Sequence, residues 1–105
     1  MTTRLTPPLA GLLLGALLLA TAASAAPAQK PDFLKGCIPC HGLDGIGRDA
    51  EIPNLAGQNE VYLANQLRAF QKGRRPHKEM RYMSRTMTDE DMRALAAYYA
   101  SLPPR

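Results

Sequence analysis

The chain is poor in side chains that do covalent chemistry: its 105 residues include two cysteines and two histidines, with no tryptophan and only two phenylalanines. No run alternates apolar and polar residues convincingly enough to read as a strand, which argues against a sheet-based fold. Neither a general acid/base pair nor a nucleophile other than the two thiols is evident, so the chain does not read as an enzyme that turns over a substrate by itself. Internal repeats are absent. Aromatic residues make up 6% of the chain, and no series of them stacks along its basic stretch. Nucleic acid is therefore a poor partner for the net charge of +4.

What is present begins with a segment of different character. Arg4 supplies a positive start, Leu9 to Ala20 is an apolar run, and Ala23-Ser24-Ala25 fits the small-residue rule for signal-peptidase cleavage. The expectation is a signal peptide over residues 1–25 and a single mature domain over residues 26–105. An uncleaved anchor fits less well, because the second half of the run is small residues rather than the large aliphatics that hydrocarbon favours. No stable membrane span is expected after cleavage. Export matters for the thiols, since outside the cytoplasm a free pair oxidises unless something else consumes it. The remaining domain, about 80 residues, buries too little apolar surface to be comfortably stable without disulfides, a metal or a large prosthetic group.

Three helices can be read from pattern, and the fold class is all-α. The first is expected from near Pro31, with Asp32 at the positive end of its dipole and Phe33, Leu34 and Cys37 facing inward. The second runs from about Asn59 to Lys72, with Leu63, Leu67 and Phe70 at helical spacing and Gly73 as its stop. The third starts at Thr88, a hydroxyl cap followed by Asp89, Glu90 and Asp91, and carries Met92, Leu95, Ala96, Tyr99 and Leu102 on one stripe before Pro103-Pro104 ends it. Between the first two lies a Gly/Pro-rich loop, GLDGIGRDAEIPNLAGQ, too long for so small a domain unless it has something to pack on.

Both cysteines and one histidine fall in the run GCIPCHG, residues 36–42. C-x-x-C-H is the attachment pattern of c-type haem, in which two thiols add to the vinyl groups and the histidine ligates iron. On a helix Cys37, Cys40 and His41 stand at i, i+3 and i+4 and project from one face. Two thioethers there fix one porphyrin edge while the imidazole reaches the iron. A thioredoxin-like dithiol wants a βαβ context that is missing. A zinc site lacks a full ligand set, since only His77 is left over. A Cys37–Cys40 disulfide would close a very small loop and leave His41 unexplained. One covalent haem c is the reading in which export, the missing core and the ligand spacing agree.

With these stretches in view the mature chain resembles the small class I cytochromes c of bacterial periplasms over nearly its whole length. GCIPCHG carries the resemblance, with PNLAGQ at Pro53 to Gln58, YLANQLRAFQKGRR at Tyr62 to Arg75, and the segment from Met80 to Leu102 with its MTDED cap and LAAYYASL end. The resemblance implies a class I fold of three to four helices and loops wrapped around one covalent haem. Members often place a glycine eight residues before the first cysteine; here that position is Gln29, although the aromatic four before it matches as Phe33. It also implies a methionine as the second axial ligand, seven residues before the hydrophobic residue that precedes the Thr-Asp cap. Counting back from Met87 gives Met80, with Met83 as the alternative. Pro53 matches the family proline whose carbonyl accepts from the proximal imidazole, and Arg75 is a possible propionate contact. Met92 reads as core, Met87 as a staple at the helix start, and His77 as a loop residue whose ligation would give a different, lower-potential haem.

Seven basic residues, Arg68, Lys72, Arg74, Arg75, Lys78, Arg81 and Arg85, fall in one stretch with Glu79 as its only acid. Such charge around a haem edge would steer the chain to redox partner proteins with an acidic docking surface. The expectation is a periplasmic one-electron carrier with His/Met ligation and no catalytic residues. The alternatives are a dedicated cytochrome subunit of a periplasmic dehydrogenase complex, and a gas- or peroxide-binding haem protein with an open sixth site.

Overall fold

The computed structural model describes residues 1–21 and 30–105. Four helices follow one another: α1 Leu34–His41, α2 Glu60–Gln71, α3 Lys78–Ser84 and α4 Asp89–Ala100. The described residues contain no strand. α2 packs along both α4 and α3, and the core forms where the apolar stripes of the longer helices meet. Leu34 of α1, Leu63 and Ala64 of α2, Met87, and Met92, Leu95, Ala96 and Tyr99 of α4 make one cluster. Phe33, Cys37, Leu67 and Leu102 pack against its rim.

The two twelve-residue helices start and stop where their caps dictate. The Asn59 side chain accepts from Tyr62 N–H at the start of α2, satisfying one of the donors a helix leaves unpaired. Beyond the C-cap Lys72, Gly73 takes φ 73°, a left-handed conformation that costs glycine little. α4 opens on a full capping box: Thr88 Oγ1 accepts from Asp91 N–H at 3.1 Å, and Asp91 Oδ2 accepts from Thr88 N–H at 2.7 Å. Met87 just before that cap and Met92 within the helix share the core cluster, as a hydrophobic staple requires.

Two features differ from the sequence reading. α1 begins at Leu34 rather than near Pro31. Pro31 instead starts a turn in which Leu34 N–H bonds to its carbonyl at 3.0 Å, and Phe33 enters the helix with no side-chain cap. The second difference is α3, which lies in the stretch read as a loop. His77 caps it, its Nδ1 accepting from Met80 N–H at 3.2 Å.

Leu5 to Leu19 lie exposed and outside any helix, and no helix among the described residues is long and apolar enough to cross a membrane. The expected cleavage point at Ala23-Ser24-Ala25, and Gln29, lie outside the described residues.

Candidate functional site

α1 presents the three reactive side chains of the chain on one short helix. Cys37 and Cys40 are both free, half-buried thiols. The Cys37 thiol donates to the Phe33 carbonyl, Sγ to O 3.6 Å, and its burial pushes its pKa up against the opposing pull of Tyr99. His41, the last residue of the helix, is buried. Its Nδ1 stands 3.0 Å from the carbonyl oxygen of Pro53. Burial lowers the imidazole pKa more than that hydrogen bond raises it, so the ring is held neutral, with Nδ1–H donating. The tautomer this selects leaves the Nε2 lone pair available, and Nε2 makes no hydrogen bond among the described residues.

The long loop after α1 exists to hold that carbonyl in place. Arg48 N–H bonds back to Cys40 O at 2.8 Å, and Gly45 O accepts from both Leu55 and Ala56. Gly47 N–H donates to Asn54 Oδ1 at 2.7 Å. At Gly47 the backbone passes so close to the Ile52 carbonyl that a side chain would overlap it. α4 then fastens both ends: Tyr99 and Tyr98 donate to the carbonyls of Gly42 and Leu43 at 3.2 and 2.6 Å, and Gly57 N–H donates to Tyr99 O at 3.0 Å. The loop packs on the C-terminal helix, which answers the question its length raised.

From the other side, α3 brings Met80 into contact with His41. The short helix is fixed by polar bonds at its far end. Ser84, fully buried, donates to Met80 O at 2.8 Å, while Gln71 Nε2 of α2 donates to Ser84 O and Met87 O at 2.9 and 2.8 Å. Met83 is half-buried with its methyl against Gly36 of α1. His77 is occupied as the cap of α3 and packs edge-on to Phe70. Arg75 lies over the Phe70 ring, Cζ 4.6 Å from its centroid, and donates to Gln66 Oε1 at 2.8 Å. Of the basic run, Arg68 is neutralised by Asp89 of α4, whereas Lys72, Arg74, Lys78, Arg81 and Arg85 remain exposed.

These residues fit a covalent haem. Two free thiols stand one helical turn apart, a neutral imidazole is oriented with its outer nitrogen open, and a thioether on a separate helix meets that imidazole. Nitrogen and thioether sulfur are the donor pair of low-spin cytochrome iron. Among the described residues no three His, Cys, Asp or Glu side chains converge to hold an ion. Sequence reasoning missed the groups that orient this arrangement: the Tyr98 and Tyr99 hydroxyls, Gln71, Ser84 and Gly36. Only the tyrosines carried a signal, as adjacent phenols at the end of an amphipathic helix.

A family model described as Cytochrome c matches residues 30–103. Among curated proteins the chain is 45% identical over 92 residues to the thiosulfate dehydrogenase electron acceptor of Thiomonas intermedia, covering 87% of this chain and 42% of that one. It is 38% identical to cytochrome c-554(548) of Halomonas halodenitrificans, covering 67% of this chain and 88% of the relative. Among solved structures, reduced cytochrome c4 from Pseudomonas stutzeri superposes with a TM-score of 0.60 at 35% identity, covering 64% of this chain and 38% of that one. The chain thus spans less than half the length of the thiosulfate dehydrogenase electron acceptor and of cytochrome c4. CxxCH as the covalent attachment of one haem c, the four-helix fold and the family model agree, and the chain belongs to the cytochrome c family.

Proposed function

We propose that the chain is an exported one-electron carrier in which Cys37 and Cys40 would hold the haem through thioethers and His41 and Met80 would ligate its iron. The contact between His41 and Met80 carries this reading, because it sets a nitrogen and a sulfur donor from two different helices against each other. Held there, a haem would supply a one-electron redox couple. The protein does the rest. Pro53 O fixes the imidazole tautomer and direction through Nδ1, which makes the ring a better donor at Nε2. The neutral Met80 thioether favours the ferrous state relative to a second imidazole. Arg75, held over Phe70, keeps further N–H donors for a propionate. The exposed apolar stretch at Leu5–Leu19 supports a signal peptide over residues 1–25 and a periplasmic destination.

Oxidised and reduced spectra of the mature holoprotein, with and without carbon monoxide, test the ligand set. A Met–iron charge-transfer band, lost in Met80→Ala, together with a ferrous spectrum that carbon monoxide does not shift, is the expected result. Rapid carbon monoxide binding by the wild-type ferrous protein would instead mark a gas- or peroxide-binding site.

A second reading concerns the partner, and the likeness to a thiosulfate dehydrogenase electron acceptor over 87% of the chain favours it. The chain then receives electrons from a periplasmic dehydrogenase, docking its exposed Lys72, Arg74, Lys78, Arg81 and Arg85 on an acidic face. Reduction of the cytochrome by thiosulfate dehydrogenase, followed by stopped flow, should slow steeply as salt rises. A rate indifferent to salt removes the electrostatic dock.

A further inference from the structure

The two helices that carry the ligand pair differ in how firmly they are held. α1 is short, but Leu34 sits in the core and the loop behind it is fastened to α4 by two phenols. α3 has seven residues, too few to be stable as a helix in isolation. Its polar ties to the rest of the fold meet at the Ser84 carbonyl, which accepts from Gln71 Nε2 of α2 at 2.9 Å and from Met87 N–H of the turn before α4 at 3.1 Å, and none of them involves α1. Nothing in those ties sets how far α3 stands from α1, which is the quantity that decides whether Met80 reaches across to His41.

One contact does span that gap. Met80 and Met83 are spaced i, i+3 and so lie on one face of α3. Gly36, immediately before Cys37, leaves a notch on α1 where a Cβ would stand, and the Met83 methyl occupies it closely enough that an added Cβ would overlap Cε. We infer that this peg and notch set the spacing of the two ligand helices, making Met83 and Gly36 positioning residues for the Met80 thioether. The inference rests on the proposed His41/Met80 ligation. The pin lies near the ligands on both helices: Gly36 is about 7.5 Å along α1 from His41, and Met83 about 4.5 Å along α3 from Met80. A thioether is suited to the role, since its three flexible torsions let the methyl find an irregular gap and fill it. A larger residue at 36 would close the notch, and a shorter one at 83 would leave it empty.

The test is a mutant cycle on the holoprotein with three readouts: the Met–iron charge-transfer band, carbon monoxide binding by the ferrous form, and the midpoint potential. Met83→Ala should keep the band but raise the carbon monoxide association rate about tenfold and lower the potential, because truncation leaves α3 unpinned. Gly36→Ala should perturb less, since the methyl it meets is the free end of a flexible chain. In Gly36→Ala/Met83→Ala the new methyl partly fills the vacated notch, so the double variant should lie closer to wild type than Met83→Ala does. Additive effects, or a Met83→Ala protein with wild-type carbon monoxide kinetics and potential, overturn the inference. Met80→Ala separates the two levels: if it retains the band, the ligation itself is wrong; if it loses the band while Met83→Ala is silent, only the pin fails.

Discussion

His41 is held by Pro53: its Nδ1 lies 3.0 Å from a carbonyl oxygen twelve residues downstream, at the end of a loop that never becomes regular structure. The direction of the imidazole is thus set by the path of the loop, and the tightest point on that path is Gly47 against Ile52. Gly47→Ala must push the two strands of the loop apart, at a cost of about 1–3 kcal/mol for an overpacked site. Because the obstacle is a backbone carbonyl, the strain passes to Pro53. The expected outcome is a lower denaturation midpoint together with altered hyperfine shifts of the His41 ring protons in the oxidised protein. A stability loss with unchanged ring shifts would show that the loop does not steer the imidazole.

Covalent attachment by both thiols gives a separate expectation. In wild type the haem should remain with the polypeptide after denaturation in acidified organic solvent. Cys37→Ser or Cys40→Ser should retain it through one bond, and the double variant should release it entirely. Release from a single variant would mean that its remaining cysteine carries no thioether bond and that attachment is through the substituted position alone.

The parts of this arrangement legible from sequence are those with strong local chemistry. Asn59 and Thr88 are preferred caps followed by apolar stripes, so α2 and α4 appear where they were expected. CxxCH fixes its own geometry on any helix, and Pro53 and Met80 fall where the family resemblance puts them relative to that motif and to Met87. α3 was not legible, for physical reasons. Its seven residues KEMRYMS hide an apolar i, i+3 pair inside a basic run, and its cap is a histidine, which is not among the preferred capping residues. Its tie to the rest of the fold comes from Gln71, whose amide reaches Ser84 O and Met87 O only once α2 and the Met87 turn are in place. The early start expected for α1 failed because Pro31 and Asp32 favour a helix start without requiring one, and a turn satisfied Leu34 N–H first.

Asp89 gives the fold an acid-sensitive joint between α2 and α4. Its carboxylate accepts from Arg68 Nε at 2.6 Å and also pairs with Arg93, and the Arg68 hydrogen bond, with the charges of Arg68 and Arg93, holds its pKa below the usual carboxylate value. A folded pKa below the unfolded one contributes stability that is present above the unfolded value, about 3.9 for an aspartate, and is lost as pH falls through the folded value. Asp89→Asn should therefore flatten the decline of stability below about pH 4. The decline is read in wild type and variant from denaturant midpoints of the holoprotein between neutral and strongly acidic pH. An unchanged acid limb in the variant would assign that decline to other carboxylates.

Tyr98 and Tyr99 make the same kind of bond to neighbouring carbonyls, and burial rather than length should decide which matters more. Tyr98 has the shorter bond, 2.6 Å to Leu43 O, but that site is exposed, so water can replace the phenol in Tyr98→Phe at a cost near zero. The bond from Tyr99 to Gly42 O is longer, 3.2 Å, and partly buried. Burial also pushes the Tyr99 phenol far above its ordinary pKa, so it stays a donor throughout the working range. Tyr99→Phe leaves a sheltered carbonyl with one partner fewer, the Gly45 N–H at 3.3 Å being its remaining one, and should cost about 1 kcal/mol. Since Gly42 directly follows His41, Tyr99→Phe should also shift the midpoint potential while Tyr98→Phe leaves it unchanged. The reverse order in denaturation midpoint or potential would mean that bond length, not desolvation, governs how α4 grips the loop.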